Sequence, residues 1–519
     1  MSTEERNIEL ERKGTRALII GAGIAGLLAA RVLSDYYEHV QIIEKDALSE
    51  EAITRSGTPQ AFHLHNLALR GRKIVEQLFP DLIDDLLERG AFAAHAKTFI
   101  LANPFGQCAM TNPDEGRVQC SRSMLEFALR QRVQAIPRIQ LASELEVVGL
   151  QANADRTRIT GVSVRPRGQM QNLSMLTADL IVDASGQFSK ITQWLAELDY
   201  ALPEPERVKV GIGYSTRLYR LSPQVNQETG LILIWGEPEN QKRFAYGLQI
   251  ENGLWDICLQ GAKDLQPASD DRGFEQELRQ IITPVLADTV ENEGEPVSSA
   301  RGYLVPECRL QHFEQMENWP AGLLVLGDAL CNLDPMYGQG MSVAALEAEA
   351  LNNALLEQQT NPQANFEIRT LQAFQEVIKP SWWLDAIADL RWPNTVYTGQ
   401  EPPKAVALFH RYIDLYLQQA MQRMQEEIKS AEEPAAPPDL SSPEPSLLSY
   451  LLTIYDLYIP PQVVFNATTY RLLLEAEAAQ SGPQRLHDLT NEYQLPLEEI
   501  MNEILPTFSS PLTSAPDKA

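Results

Sequence analysis

Basic residues are scarce in this chain. Its 43 Lys and Arg stand against 70 Asp and Glu, a formal charge of -27 at pH 7. That deficit excludes an ordinary nucleic-acid binder, whose phosphate contacts need a Lys and Arg footprint. It also excludes electrostatic docking on anionic lipid. Surplus carboxylates mainly keep a protein dissolved and do not by themselves signal an acidic polymer as partner. Cysteine is scarce as well. Cys108, Cys120, Cys258, Cys308 and Cys331 are odd in number, scattered, and in no Cys-x-x-Cys spacing. This excludes a disulfide framework and predicts reduced, mostly buried thiols in a reducing compartment. No run is apolar and long enough to span a bilayer; Ala17 to Ala30 is uncharged but short, and a glycine turn interrupts it. Met1 to Arg16 is polar and lacks the apolar core of a signal peptide. A cytoplasmic protein with no membrane span is expected. Its 519 residues, 44% of them hydrophobic, suffice for two or more packed units.

What is present centres on three separated stretches. The first is Ala17-Leu-Ile-Ile-Gly-Ala-Gly-Ile-Ala-Gly26, read as a buried parallel strand, a glycine turn and a helix from Ile24 to Leu33. Gly21 permits the turn, Gly23 lets backbone approach a pyrophosphate, and Gly26 lets helix and strand pack closely. The helix then aims free N–H groups and its positive dipole end at phosphates. A second strand, Val40-Gln-Ile-Ile-Glu44, ends in a carboxylate suited to an adenosine ribose. NAD enzymes share this motif, and so does an unliganded Gly-rich turn.

The second stretch is Leu180-Ile-Val-Asp-Ala-Ser-Gly186. The third is Leu324-Val-Leu-Gly-Asp328, followed by Pro335, Gly338, Gly340 and Met341. Asp328 at a strand end suits a hydroxyl-rich ribitol chain. Pro335, Gly338 and Gly340 make a bend where backbone can lie against a flat ring. A helix beginning near Met341-Ser342 would favour negative charge on a reduced flavin. The three together point to FAD. The alternative for the third is a structural helix with a glycine-rich entry.

The order of elements predicts an α/β fold: a Rossmann-like FAD-binding domain, an inserted antiparallel-sheet substrate domain and a helical C-terminal region. A flexible start (1–15) precedes the cofactor domain (16–204), and the sheet (205–300) interrupts it. The cofactor domain resumes (301–378), followed by a helical region (379–431) and a Pro/Glu/Ser/Ala-rich linker (432–446). C-terminal helices (447–505) and a disordered tail (506–519) complete the chain. Ser121 to Val133 reads as an amphipathic helix, and Leu145 to Leu150 and Ile159 to Val164 as strands. Val208 to Leu221, Leu231 to Trp235, Phe244 to Ile250 and Leu254 to Leu259 alternate as a meander, with Glu251-Asn-Gly253 as a hairpin turn.

The chain resembles the class A flavoprotein monooxygenases, whose fold is that of para-hydroxybenzoate hydroxylase, and within them the bacterial polyether epoxidases. The resemblance rests on Thr58-Pro-Gln-Ala-Phe-His-Leu-His65, Leu78-Phe-Pro80, Trp319 to Asp328, Pro335-Met-Tyr-Gly-Gln-Gly-Met-Ser342 and Asp389-Leu-Arg-Trp-Pro393. It covers most of the stretch from Arg16 to Tyr412. The resemblance implies that Gly21, Gly23, Gly26 and Glu44 hold the ADP half of FAD. Arg122 would contact the cofactor, Asp328 would bind ribitol, and Gly338 to Met341 would lie against the isoalloxazine. For Arg122 a surface helix cation is the alternative. The chain departs from many relatives at Gln187, Cys331 and Asp334, where they carry Arg, His and Asn. A carboxylate at Asp334 could repel the charge of reduced flavin.

The reaction implied uses NAD(P)H and O2 to place one oxygen atom, by epoxidation or hydroxylation, in an apolar, electron-rich small molecule. Gly211-Ile-Gly213 lacks a third glycine and a following helix, so NAD(P)H is expected to bind only transiently. His63 and His65 are polar candidates beside the flavin, either catalytic or structural; their spacing carries no metal partner, and no metal is expected. Tyr214 and Arg217 lie on one strand with opposite facing, so at most one meets substrate. Three rivals share these motifs: a flavin-dependent reductase of C=C bonds, a flavin halogenase with Lys73 as its lysine on an exposed helix face, and a non-catalytic FAD-binding protein.

Overall fold

Uninterrupted apolar strands form where both faces of a sheet will be covered. Five strands, the first three carrying such apolar runs, build a parallel sheet in the order Leu323–Val325, Leu180–Asp183, Gly14–Ile20, Tyr37–Ile43, Ile139–Ala142. The structure, a computed structural model, describes residues 14–95, 97–111, 116–399, 406–430, 447–476 and 496–504. Helix Ile24–Leu33 starts and stops where the sequence predicts and packs against Gly340–Thr360. Ile20 pairs in register with both Ile43 and Asp183, and Asp183 with Val325. The glycine turn, Glu44, Ala184 and Gly327-Asp328 therefore all leave the same carboxyl edge, where open α/β sheets bind ligands.

The inserted sheet has eight strands. Seven lie in the order Gly294–Pro296, Ile212–Leu221, Leu254–Ala262, Phe244–Gln249, Thr229–Ile234, Thr98–Asn103, Gly106–Thr111, and Arg301–Val305 pairs with the start of Ile212–Leu221. Two features differ from the expected meander. Val208 to Leu221 is two strands, because Gly211 adopts φ +64° and turns the chain. Glu206–Lys209 instead joins a four-stranded sheet, between Cys308–Leu310 and Val396–Thr398. The hairpin Thr98–Asn103 and Gly106–Thr111 comes from before the insertion and pairs in parallel with Thr229–Ile234.

Helix Phe366–Asp389 runs unbroken through Pro380 and across the 378/379 boundary expected from sequence. Beyond it, Val406–Ser430 and Leu447–Tyr455 set Ala420, Met421, Met424 and Leu448 against Leu101, Cys108 and Met110. Ala467–Ala476 and Leu497–Ile504 complete the described helices. Residues 1–13, the 432–446 linker and the 506–519 tail lie outside the described residues. Among the described residues no helix is long and apolar enough to cross a membrane.

Candidate active site

A groove of about 370 Å³ runs along the carboxyl edge of the parallel sheet. Of the predicted cofactor residues, Gly21, Gly23, Glu44, Arg122, Asp328, Pro335, Gly338, Gly340 and Met341 all line it. Gly26 does not. It lies inside the packing, where an added Cβ would sit 2.0 Å from the Gly21 carbonyl oxygen. At Gly23 an added Cβ would meet nothing within 4 Å, so that glycine faces open groove. Glu44 is 3% exposed and accepts the Ala22 and Asp46 N–H groups at 2.9 Å each. Its two oxygens retain further acceptor capacity.

Arg122 opens the helix Arg122–Gln134, which Ser121 caps by accepting the Met124 N–H. One guanidinium nitrogen donates to Glu126 at 2.9 Å, whereas Nε is buried without an acceptor. Asp328 makes no hydrogen bond to the described residues. Burial pushes its carboxyl upward and the Arg122 charge pulls it back, with a net rise. Helix Gly340–Thr360 begins beside it, the Cβ direction of Gly340 pointing 4.0 Å from Asp328 Oδ1. Open space at Gly23, an orphaned Arg122 Nε, a carboxylate without protein partners and two helix N-termini fit a flavin adenine dinucleotide.

His63, His65 and Tyr214 line the same groove. His63 Nδ1 meets Thr216 Oγ1 at 2.9 Å, and His65 Nδ1–H donates to the His63 carbonyl at 2.7 Å. Burial, reinforced by Arg301, lowers His63 to about 4; burial, reinforced by Arg122, lowers His65 to about 3. Both are neutral imidazoles at neutral pH. Tyr214 and Arg217 do face opposite ways: Tyr214 donates to Asp334 Oδ1 at 3.0 Å, and Arg217 pairs with Asp271 and Glu275 at 3.1 and 2.6 Å. Lys73 is half-buried rather than exposed. Its ammonium donates to Tyr458 Oη at 3.1 Å and lies 4.6 Å from that ring, on neither cavity described here.

Asp334 is 0% exposed and is not a lone anion. One oxygen of its carboxyl lies within 4.8 Å of one of Asp389, and burial raises both carboxyls, Asp389 well above the usual range. The five cysteines are free thiols, and burial pushes Cys331 well up, which fits a packed, unreactive side chain.

A second space, about 270 Å³, opens between the inserted sheet and the C-terminal helix Leu447–Tyr455. Phe99, Leu231, Leu233, Trp235, Leu452 and Tyr455 give it apolar walls, with Arg117, Gln119 and Gln260 among its polar members. Leu64, Asn66, Pro335 and Gly338 line both spaces. They form the partition between them.

Sequence reasoning missed several groups. Arg55 lines the groove and reaches Glu44, Asp46 and Glu126 at 3.2, 2.9 and 2.8 Å. Glu347, seven residues into the helix that starts at Gly340, accepts the Gly327 N–H at 2.9 Å, and burial raises it to about 8. Asp183 accepts from Ser185 N and Ser189 Oγ, which makes it the builder of the Ser185-Gly186 turn. Of these, only Asp183 lay in a stretch that the sequence singled out, Leu180 to Gly186.

Asp328→Ala removes no hydrogen bond among the described residues, so the fold without cofactor should be unaffected. FAD affinity should fall about ten- to a hundredfold, since each bond to a charged group contributes about 1.5–3 kcal/mol. Fluorescence titration with FAD measures this; wild-type affinity in the variant would make Gly327-Asp328 a structural element only.

No protein-family model matches the chain. Protein Rv3254 of Mycobacterium tuberculosis is 29% identical over 411 residues, which cover 76% of this chain and 85% of that protein. Among solved structures, the flavin-dependent brominase Bmp2 superposes with a TM-score of 0.57 at 14% identity, covering 92% of this chain and 99% of that one. The p-nitrophenol 4-monooxygenase PnpA from Pseudomonas putida DLL-E4 superposes with a TM-score of 0.57 at 14% identity, covering 86% and 98%. The chain has the flavin-monooxygenase fold that these two structures share.

Proposed function

We propose that this protein is an FAD-dependent monooxygenase that uses NAD(P)H and O2 to insert one oxygen atom into an apolar, electron-rich small molecule. The observation that carries the reading is the shared partition. The groove lined by the expected cofactor residues and the apolar cavity meet at Leu64, Asn66, Pro335 and Gly338, so a flat ring held on one side abuts a molecule held on the other. The likeness to a flavin-dependent brominase and a p-nitrophenol monooxygenase supports the reaction class. The sequence resemblance to polyether epoxidases favours epoxidation over hydroxylation.

In this reading Gly23 and the start of helix Ile24–Leu33 hold the pyrophosphate, Glu44 the adenosine ribose, and Arg122 and Asp328 the flavin side of the dinucleotide. Bound FAD supplies the redox chemistry, passing electrons from NAD(P)H to O2. The protein binds, orients and excludes water. Phe99, Leu233 and Trp235 give the cavity apolar walls, and water excluded by them would protect reactive oxygen from side reactions. The N-terminus of Gly340–Thr360 favours negative charge beside the ring, a contribution of about 0.3–2 kcal/mol depending on burial.

The test is turnover under labelled dioxygen. NAD(P)H oxidation should require O2, should leak to hydrogen peroxide without substrate, and should place one labelled oxygen atom in the product. Equal turnover without oxygen would favour the reductase, and halide-dependent product the halogenase. Lys73, committed to Tyr458, is a poor halogenase lysine. Absence of NAD(P)H oxidation by flavin-loaded protein would favour a binding protein.

A further inference from the structure

Three acidic side chains lie buried where the partition meets helix Phe366–Asp389. Asp334 and Asp389 are 0% exposed, and Asp385, one turn earlier, is 2% exposed. Among the described residues no Arg or Lys ion pair reaches any of them. Cys308 Sγ and one oxygen each of Asp334 and Asp389 all lie within 4.8 Å of one another. Two adjacent carboxylates cannot both ionise in such surroundings, so the pair holds at least one proton. Hydrogen-bond accounting agrees. Asp334 Oδ1 accepts from Tyr214 Oη at 3.0 Å and from Met336 N–H at 2.7 Å, and Asp389 Oδ1 accepts from Tyr337 Oη at 3.1 Å. The remaining oxygen of each, Oδ2, has no donor. A proton between the two side chains supplies one.

The ends of this chain open differently. Asp334 and Tyr214 line the cofactor groove, and Tyr337 lines the apolar cavity. We propose that Tyr337, Asp389 and Asp334 form a proton relay that joins the substrate cavity to the cofactor groove through the partition, its groove end held by the Tyr214 hydroxyl. A hydroxyl in the cavity that gives its proton to Tyr337 Oη releases the tyrosine's own proton to Asp389 Oδ1. Asp389 passes the proton it already holds to Asp334, whose carboxylate becomes the neutral acid. The substrate oxygen takes up the negative charge that Asp334 loses, no electron moves, and the reverse sequence returns the proton. The groups facing the pair are Cys308, Asp385, Tyr214 and Tyr337. Burial raises both the Cys308 thiol and the Asp385 carboxyl well above their ordinary values, which disfavours either as a competing anion. The relay rests on the proposed function and narrows its substrate class to apolar molecules that present a hydroxyl toward Tyr337.

Infrared difference spectroscopy of the full chain, recorded with and without FAD, tests it. An exchangeable carboxylic-acid C=O band should be present at neutral pH and should weaken in Asp389→Asn. On transfer to D2O its shift should be several-fold slower in Tyr337→Phe than in wild type. Tyr246→Phe is the control, since that hydroxyl donates to the Met336 carbonyl at 3.3 Å and not to the pair. It should exchange as wild type does. FAD binding should shift the same band, because Asp334 borders the groove. A band unchanged in Asp389→Asn, or wild-type exchange in Tyr337→Phe, overturns the relay; a band indifferent to bound FAD overturns its groove end. Should Asp389→Asn fail to fold, the Tyr337→Phe exchange rate decides alone. A protein that shows the band and its Tyr337 dependence yet never takes FAD overturns the proposed function and leaves the proton path standing.

Discussion

Gly23→Val should purify folded and colourless. The three glycines of the first turn look equivalent in sequence and do three different jobs in the fold. Gly21 has φ +104°, and a Cβ there would lie 2.5 Å from the Ala184 carbonyl oxygen. Gly26 would place its Cβ 2.0 Å from the Gly21 oxygen. A side chain at either site collides with backbone and damages the fold itself. Gly23 has φ -75° and ψ -178°, a conformation any residue adopts, and open space in front of it. The Cβ of a valine there meets no protein atom within 4 Å, and its methyls fill the room a pyrophosphate needs. Flavin absorbance per chain should drop to background, while circular dichroism and the thermal midpoint of the cofactor-free protein stay at wild-type values. A yellow Gly23→Val protein would sink the cofactor assignment.

This contrast also shows which parts of the molecule could be read in advance. Local rules placed Ile24–Leu33 and, to within a residue, the starts of Arg122–Gln134 and Gly340–Thr360, because turn chemistry and periodicity are properties of neighbouring residues. The groove was legible for the same reason: strands that end in Gly or an acid announce the carboxyl edge of a parallel sheet. Non-local pairing was not. Nothing in Thr98–Asn103 says that its partner is Thr229–Ile234, and Val208 to Leu221 reads as one strand until Gly211 turns the chain between two sheets. The apolar cavity was equally hidden, since Leu452 and Tyr455 come to it from far along the chain. Asp334 was the residue of concern in the sequence. Its answer, Asp389, lies on a helix that a proline at 380 made easy to cut in two.

Arg55→Met should cost about 3–5 kcal/mol at neutral pH, the range expected when one partner of a buried ion network is removed. The guanidinium joins Glu44, Asp46 and Glu126, whose side chains are 4%, 1% and 8% exposed. Asp46 keeps Arg167 and Glu126 keeps Arg122, but Glu44 loses its one ion-pair partner among the described residues. Burial opposes ionisation of Asp46 and Glu126, yet their arginine partners outweigh it and hold both carboxyls below their ordinary values. Groups depressed in this way stabilise the fold above the ordinary carboxylate range, and that stabilisation is lost as pH falls through their lowered values. In Arg55→Met the same carboxyls retain the burial penalty without Arg55, so their values rise and protonation relieves them at higher pH. The stability gap between wild type and variant should therefore be widest near neutrality and narrow on acidification. Urea unfolding across that range measures it. A neutral-pH loss no larger than that of a surface substitution, about 0.5 kcal/mol, would mean that the network contributes little, and a gap that widens in acid would reverse the assigned charges.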